Sequence, residues 1–322
     1  MVNRASNSGA ATGGTNGSSD IDLAERPAGA AKVPAVIQRV GVIGCGLMGS
    51  GIAEVSARAG LSVIVVEAGQ EALNAGRRRI ESSLAKAVDR GKLAPEARAD
   101  ALERLNFSTR MADLADRELV VEAVVERFDV KAAVFEQLDA VTGPGTILAS
   151  NTSSIPIMRL AMVTRRPEEV LGLHFFNPVP VMRLVELVTS LLTNESTAAR
   201  AADFIEQVLH KRIVRSKDRA GFIVNALLIP YLLSAIRMIE SGFATAADID
   251  AGMVEGCAHP MGPLALSDLI GLDTVLAVAE SLYDEFKEPL YAPPPLLDRM
   301  CEAGLLGRKV GRGFYDYNGR GK

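Results

Sequence analysis

The sequence predicts an α/β chain: a doubly wound, mainly parallel sheet domain followed by an all-helical C-terminal domain. Three observations carry that expectation. Short, wholly apolar runs alternate with helical segments in the first part of the chain. A glycine-rich turn joins the first of these runs to the first helix. Strand-like runs then stop near residue 220, and only helical patterning follows.

The segment IQRVGVIGCGLMGSGIAEVSARAG contains the first two elements. Residues 38–43 read as a buried strand and 47–59 as a helix. SVIVVE, ending on Glu67, reads as a second strand, and this βαβ unit implies parallel pairing. Residues 70–90 form a helix with one basic, largely polar face. Further buried strands are expected over 119–124, 147–149, 170–176 and 183–188, with helices between several of them. Only NPVPVM joins the last two. That is too short for a parallel crossover, so they should pair antiparallel at one edge of the sheet. GFIVNALLIPYLLSAIRMIESG, residues 221–242, reads as a long apolar helix that Pro230 should kink. Further helices are expected over 245–256, 267–286 and 293–303. The first C-terminal helix is apolar on more than one face, as if buried against a second subunit as well as its own domain. The chain thus divides into a tail (1–35), a sheet domain (36–219) and a helical domain (220–322).

With 48% apolar and 23% charged residues, the 322-residue chain has the composition of a soluble globular protein. It needs neither disulfide nor metal to hold a core. A net charge of −4 gives no electrostatic reason to expect nucleic acid. Cys45, Cys257 and Cys301 show no CxxC spacing, which fits free thiols in a reducing, cytoplasmic compartment. The Gly/Ala/Ser-rich first 35 residues are too polar to fold alone and are expected to be disordered. They lack the apolar centre of a signal peptide, and no apolar run reaches membrane-spanning length.

Gly44, Gly46 and Gly49 form G-x-G-x-x-G at a strand-to-helix junction, with Leu47 and Met48 at the helix start. Glycines there let the backbone turn tightly and approach a pyrophosphate, and the helix N-terminus offers free N–H groups. An acidic residue, Glu67, ends the second strand at the spacing of a Rossmann-like dinucleotide site. Its carboxylate suits ribose hydroxyls and repels a 2′-phosphate. No Arg follows it until Arg77, so NAD is expected rather than NADP. Cys45, inside the loop, reads better as a small residue that fits than as a redox thiol. His174 ends a buried strand in LGLHFFNP, where open α/β sheets bind ligands. Alone it would more often be a satisfied core residue. Glu186 in VMRLVELV changes that, because the expected antiparallel turn could set it opposite His174. A carboxylate holding one ring nitrogen leaves the other free for proton transfer. SNTSSIP, starting at Ser150, gathers more hydroxyl and amide groups at a strand end than a helix cap requires.

GxGxxGxGIA, SNTSS, GLHFFNPVPVM-[basic]-LVE and GFIVN, in this order, resemble the 3-hydroxyacyl-CoA dehydrogenase family, particularly its bacterial, actinobacterial-type 3-hydroxybutyryl-CoA branch. The resemblance covers about residues 38–317. It implies that His174 is the general base for the 3-hydroxyl, or the acid in reverse, and that Glu186 orients it. It implies that Ser153 and Asn225 hydrogen-bond the reacting 3-oxygen, with the site in a cleft between the domains. Glu126, Lys131, Asn177 and Lys309 match cofactor contacts. Arg78, Ser83 and Arg90 match the region that binds the coenzyme A nucleotide, although a solvated basic face is the plainer meaning of such residues. The implied activity is the NAD-dependent interconversion of short (S)-3-hydroxyacyl-CoA and 3-oxoacyl-CoA by a homodimer. Ala220 and Ala226 stand where the family often has Pro and Arg, and Arg183 where Lys is common. The competing expectations are a dehydrogenase of hydroxy sugar acids, one acting on a carrier-protein-bound acyl group, and a non-catalytic dinucleotide-binding protein. Intact His174, Glu186 and Ser153 speak against the last.

Overall fold

In the computed structural model, residues 36–318 are described, and the tail expected over 1–35 lies outside them. Eight strands form one sheet: β1 (Arg39–Ile43), β2 (Ser62–Val66), β3 (Leu105–Ser108), β4 (Leu119–Glu122), β5 (Ile147–Ser150), β6 (Val170–Phe175), β7 (Leu184–Thr189) and β8 (Arg212–Lys217). Their order is β3-β2-β1-β4-β5-β6-β7-β8. All neighbouring pairs are parallel except β6 with β7.

The central strands are buried on both faces, which is why they read as unbroken apolar runs. In β4 every residue is buried, including its terminal Glu122. Helices α1 (Leu47–Arg58), α2 (Gln70–Asp89), α3 (Pro95–Glu103), α4 (Phe128–Val141), α5 (Ile157–Ala161) and α6 (Glu195–Asp203) join the strands. One core cluster packs Val40, Val42, Val63 and Val65 against α1 and α2, and a second packs Val120 and Leu148 against α4 and α5. These two apolar layers sandwich the sheet.

After β8 come only helices among the described residues: α7 (Val224–Glu240), α8 (Ala246–Cys257), α9 (Pro263–Ile270), α10 (Leu272–Phe286) and α11 (Pro295–Glu302). They have a core of their own around Leu232, Leu233, Ile236, Val275 and Leu282. None of the described helices is long and apolar enough to cross a membrane.

Three expectations need correction. The antiparallel β6–β7 pair is not the edge of the sheet, because β8 adds on beyond β7. A single helix over 267–286 is in fact two, α9 starting at Pro263 and α10 at Leu272. Between them Gly271 adopts φ +102°, which no helix accommodates. The helix expected from Gly221 begins only at Val224, because Gly221 and Phe222 both have positive φ and form the turn that leads into it.

Candidate active site

The sheet order reverses between β1 and β4, and the loops at the C-terminal ends of the parallel strands gather around that switch point. The first is the glycine loop. Gly44 has φ +84°, and a Cβ there would lie 2.6 Å from the Ala123 carbonyl oxygen. A Cβ on Gly49 would lie 1.8 Å from the Gly44 oxygen, so loop and helix touch backbone to backbone. Gly46 faces open space. No side chain caps the start of α1, so its first amides remain for a ligand. Leu47 is exposed and Met48 half-buried at this helix start. Glu67 accepts a hydrogen bond from the Cys45 N–H, so its carboxylate points at the glycine loop. Cys45 is buried; burial, with the nearby Glu67 charge, pushes its thiol up to about 12. That removes the reactive thiolate and agrees with a packing role.

His174 and Glu186 are register partners across the antiparallel β6–β7 ladder. His174 Nδ1 lies 2.7 Å from Glu186 Oε2, and Glu186 has no exposure to solvent. The other carboxylate oxygen, Oε1, accepts the N–H groups of Ile223 and Val224 at 3.0 and 2.9 Å. These amides begin α7, so one carboxylate both holds the imidazole and caps the first helix of the C-terminal domain. The rings of Phe176 and Phe222 flank the imidazole, with centroids 4.5 and 5.6 Å away. Asn151 Oδ1 accepts the Phe175 N–H at 2.9 Å, tying the SNTSS loop to the end of the strand that carries His174.

A polar network lies under the same rim. Glu122 Oε1 accepts from Lys131 Nζ at 2.6 Å and from the Val124 N–H at 2.7 Å, and its Oε2 accepts from Ser150 Oγ at 2.7 Å. Lys131 is 1% exposed and also pairs with Glu126 at 3.2 Å. Glu126 gathers the Thr152 and Ser154 hydroxyls and the Ser153 N–H. Burial alone would push the Glu126 carboxyl up, but the Lys131 charge and these hydrogen bonds outweigh it and hold it below the usual range. The Ser153 hydroxyl, 3.5 Å from Glu126, is only weakly engaged.

The family description "3-hydroxyacyl-CoA dehydrogenase, NAD binding domain" matches residues 39–219, and "3-hydroxyacyl-CoA dehydrogenase, C-terminal domain" matches residues 221–317. The chain belongs to the 3-hydroxyacyl-CoA dehydrogenase family. It is 60% identical to a 3-hydroxybutyryl-CoA dehydrogenase of Mycobacterium tuberculosis over 282 residues, 87% of this chain and 99% of that one. The crystal structure of M. tuberculosis FadB2 superposes with a TM-score of 0.87 at 60% identity, covering 88% of this chain and 99% of that one. An (S)-3-hydroxybutyryl-CoA dehydrogenase from Ralstonia eutropha gives 0.83 at 45% identity, over 88% of this chain and 100% of the other.

As in the rest of the family, NAD is the cofactor. The residues fit it: Gly46 leaves open the space a Cβ would fill, the start of α1 is uncapped, and Glu67 faces the loop. Ser153 follows Asn151 by two residues and Asn225 follows the Glu186-bound Val224 by one, so both lie near the His174 end of the site. The other expected site residues are placed as follows. Lys131 is buried between two carboxylates, supporting the rim rather than facing an open cleft. Lys309 is exposed and paired with Asp273 of α10. Asn177 is exposed in the turn after β6. Arg78 is exposed on α2, and Arg90 caps the C-terminal end of that helix. Ser83 is half-buried on α2 beside Glu54 of α1, whose carboxyl burial pushes up against the opposing pull of Ser83 and Arg58. Sequence reasoning missed Glu122, although an acid closing the apolar run LVVE was a visible signal. It also missed the two α7 amides, whose partner Glu186 is distant in the chain.

Proposed function

We propose that this dehydrogenase interconverts short (S)-3-hydroxyacyl-CoA and 3-oxoacyl-CoA thioesters, with 3-hydroxybutyryl-CoA and acetoacetyl-CoA as the working pair. The observation that carries the proposal is the buried 2.7 Å contact between His174 Nδ1 and Glu186 Oε2 at the C-terminal end of β6. An ionised carboxylate only accepts, so Nδ1 carries the proton and Nε2 is left as the basic atom. Nε2 then takes the proton of the 3-hydroxyl, or returns it in the reverse direction. Glu186 keeps the ring oriented and balances the charge it gains. Ser153 and Asn225 hydrogen-bond the 3-oxygen and fix its distance from Nε2. When bound, NAD supplies the hydride acceptor. The aromatic rings of Phe176 and Phe222 keep water from the imidazole face. Glu67 makes NAD the preferred dinucleotide.

The test is NADH oxidation measured against acetoacetyl-CoA, longer 3-oxoacyl-CoAs and free 3-oxo acids. The expected result is highest kcat/KM for the four-carbon thioester and little turnover of the free acids. A rate that climbed steadily with chain length would overturn the short-chain reading, and efficient use of free acids would overturn the thioester reading.

The exposed guanidiniums of Arg78 and Arg90 support a grip on the coenzyme A phosphates, by charge rather than by a formed clamp. Removing both should raise KM for acetoacetyl-CoA by about tenfold, since contacts of this kind contribute around 1 kcal/mol or less apiece. A truncated pantetheine thioester, lacking the phosphates, should be little affected. Equal impairment of both substrates would exclude the grip.

Exposed apolar residues on and beyond α7, namely Ile223, Leu227 (73% exposed), Met238 and Phe243 (75% exposed), support a homodimer formed through the helical domain. Light scattering should give twice the chain mass at micromolar concentration; a monomer there would contradict it. The free cysteines support a cytoplasmic setting.

A further inference from the structure

At the end of the sheet opposite β6–β8, a cavity of about 390 Å³ opens between the first turns of α2 and the C-terminal end of β3. Its wall contains Gln70 and Arg77 from α2, Phe107 and Ser108 from β3, and Thr109 and Arg110 just beyond. The Arg77 guanidinium lies over the Phe107 ring, its Cζ 4.6 Å from the centroid. Among the described residues no carboxylate is within ion-pair reach of Arg77. Arg110 pairs with Asp113 at 2.6 Å and keeps most of its side chain in solvent. Asp113, the one carboxylate of the wall, accepts from Arg110 and from the Ser108 hydroxyl, which leaves the Arg77 guanidinium, the Thr109 hydroxyl and the Gln70 and Asn74 amides as a wall suited to a polyvalent anion.

The cavity begins where the dinucleotide site ends. The Glu67 N–H donates to the Ser108 carbonyl at 3.2 Å, so the loop carrying Thr109 and Arg110 leaves the sheet directly beside Glu67. Gln70 follows Glu67 by three residues. The Glu67 carboxylate itself turns the other way, toward the glycine loop. The cavity therefore adjoins the segment that bears Glu67, within reach of a phosphate carried by a ribose bound at that strand end. Arg78, Ser83 and Arg90 take no part in its lining.

We infer that Arg77 and Arg110 form a latent receptor for the 2′-phosphate of an adenine dinucleotide, and that Glu67 masks it. The inference rests on reading Glu67 as the ribose-facing carboxylate. A phosphate beside an ionised Glu67 meets like charge before it reaches the arginines. With that charge removed, the Arg77 guanidinium is already in place without an ion-pair partner, and Arg110 can add its charge by sharing or leaving Asp113. The dinucleotide preference of this chain is then set by one repulsive side chain and not by the lack of a phosphate site.

Binding of 5′-AMP and of 2′,5′-ADP to the full chain, measured by calorimetry without substrate, separates the two parts. The wild type should prefer 5′-AMP. In Glu67→Ser the ratio should shift toward 2′,5′-ADP by about tenfold or more, the gain expected from one charge-assisted contact freed of repulsion. Adding Arg77→Ala and Arg110→Ala to that variant should return the ratio by a similar factor. Adding Arg299→Ala on α11 instead, which removes a positive charge remote in the fold, should leave it shifted. Glu67→Gln gives the same reading should the serine variant not fold. A ratio unchanged by either Glu67 substitution overturns the inference and the ribose assignment together. A shifted ratio that survives loss of both arginines overturns the receptor and leaves the assignment of Glu67 standing.

Discussion

Replacing His174 with alanine is expected to lower kcat by about 100-fold or more while NADH binding stays nearly intact. The two readouts separate because they rest on different parts of the sheet. The dinucleotide loop follows β1 and is packed by Gly44 and Gly49 against backbone. His174 lies three strands away, on β6, fixed by Glu186 and by the rings of Phe176 and Phe222. On the proposed mechanism, loss of the imidazole removes the group that takes the 3-hydroxyl proton. Turnover would then depend on water, which those rings hold off. The substitution also leaves a void beneath two aromatic rings. His174→Gln, close in volume, should therefore show the same loss of kcat with less loss of thermal stability. Steady-state kinetics together with titration of NADH fluorescence decide the matter. A variant with near-normal turnover would remove His174 from the mechanism, and one that lost NADH binding as well would point to a disrupted fold.

The parts of the molecule legible in the sequence are those where one physical constraint acts alone. The run from β1 through α1 to β2 is apolar on both faces and closed by glycines whose roles are steric, so periodicity finds it. The antiparallel turn to β7 follows from the length of its connection, and with it the pairing of His174 and Glu186. The strands that escaped notice, β3 (LNFS) and β8 (RIVRSK), lie at the two ends of the sheet, where burial is partial and polar residues are tolerated. The α9–α10 break at Gly271 was hidden because apolar periodicity runs on through it. In the site, what was not legible is multiplicity of partners. Lys131 reads as a cation available to a cofactor until Glu122 and Glu126 are seen to enclose it. Glu186 was read as serving the histidine, yet half of its carboxylate serves a helix that begins 38 residues later in the chain.

That division of labour makes Glu186 the residue whose two conservative and non-conservative replacements should differ most. In Glu186→Gln one oxygen remains, and it can serve either the two α7 amides or His174, not both. Two N–H donors in series hold it more strongly than one, so the oxygen should stay on Ile223 and Val224 and the amide nitrogen should face Nδ1. An NH₂ group there donates, so Nδ1 must accept and the ring proton moves to Nε2. Nε2 can then no longer act as a base. The expected result is a fall in kcat of about 100-fold to 10,000-fold, the range seen when a buried orienting carboxylate becomes an amide. Melting temperature should fall little, because the helix cap survives. Glu186→Ala loses both functions. It leaves two partly buried amides without an acceptor, at about 1 kcal/mol each, and a void where a fully buried side chain stood. Its melting temperature should drop by on the order of 5 °C or more. Activity and melting temperature measured side by side on the two variants test the assignment. Turnover retained in the glutamine variant would sever Glu186 from the chemistry, and an alanine variant as stable as the wild type would show that α7 does not depend on its cap.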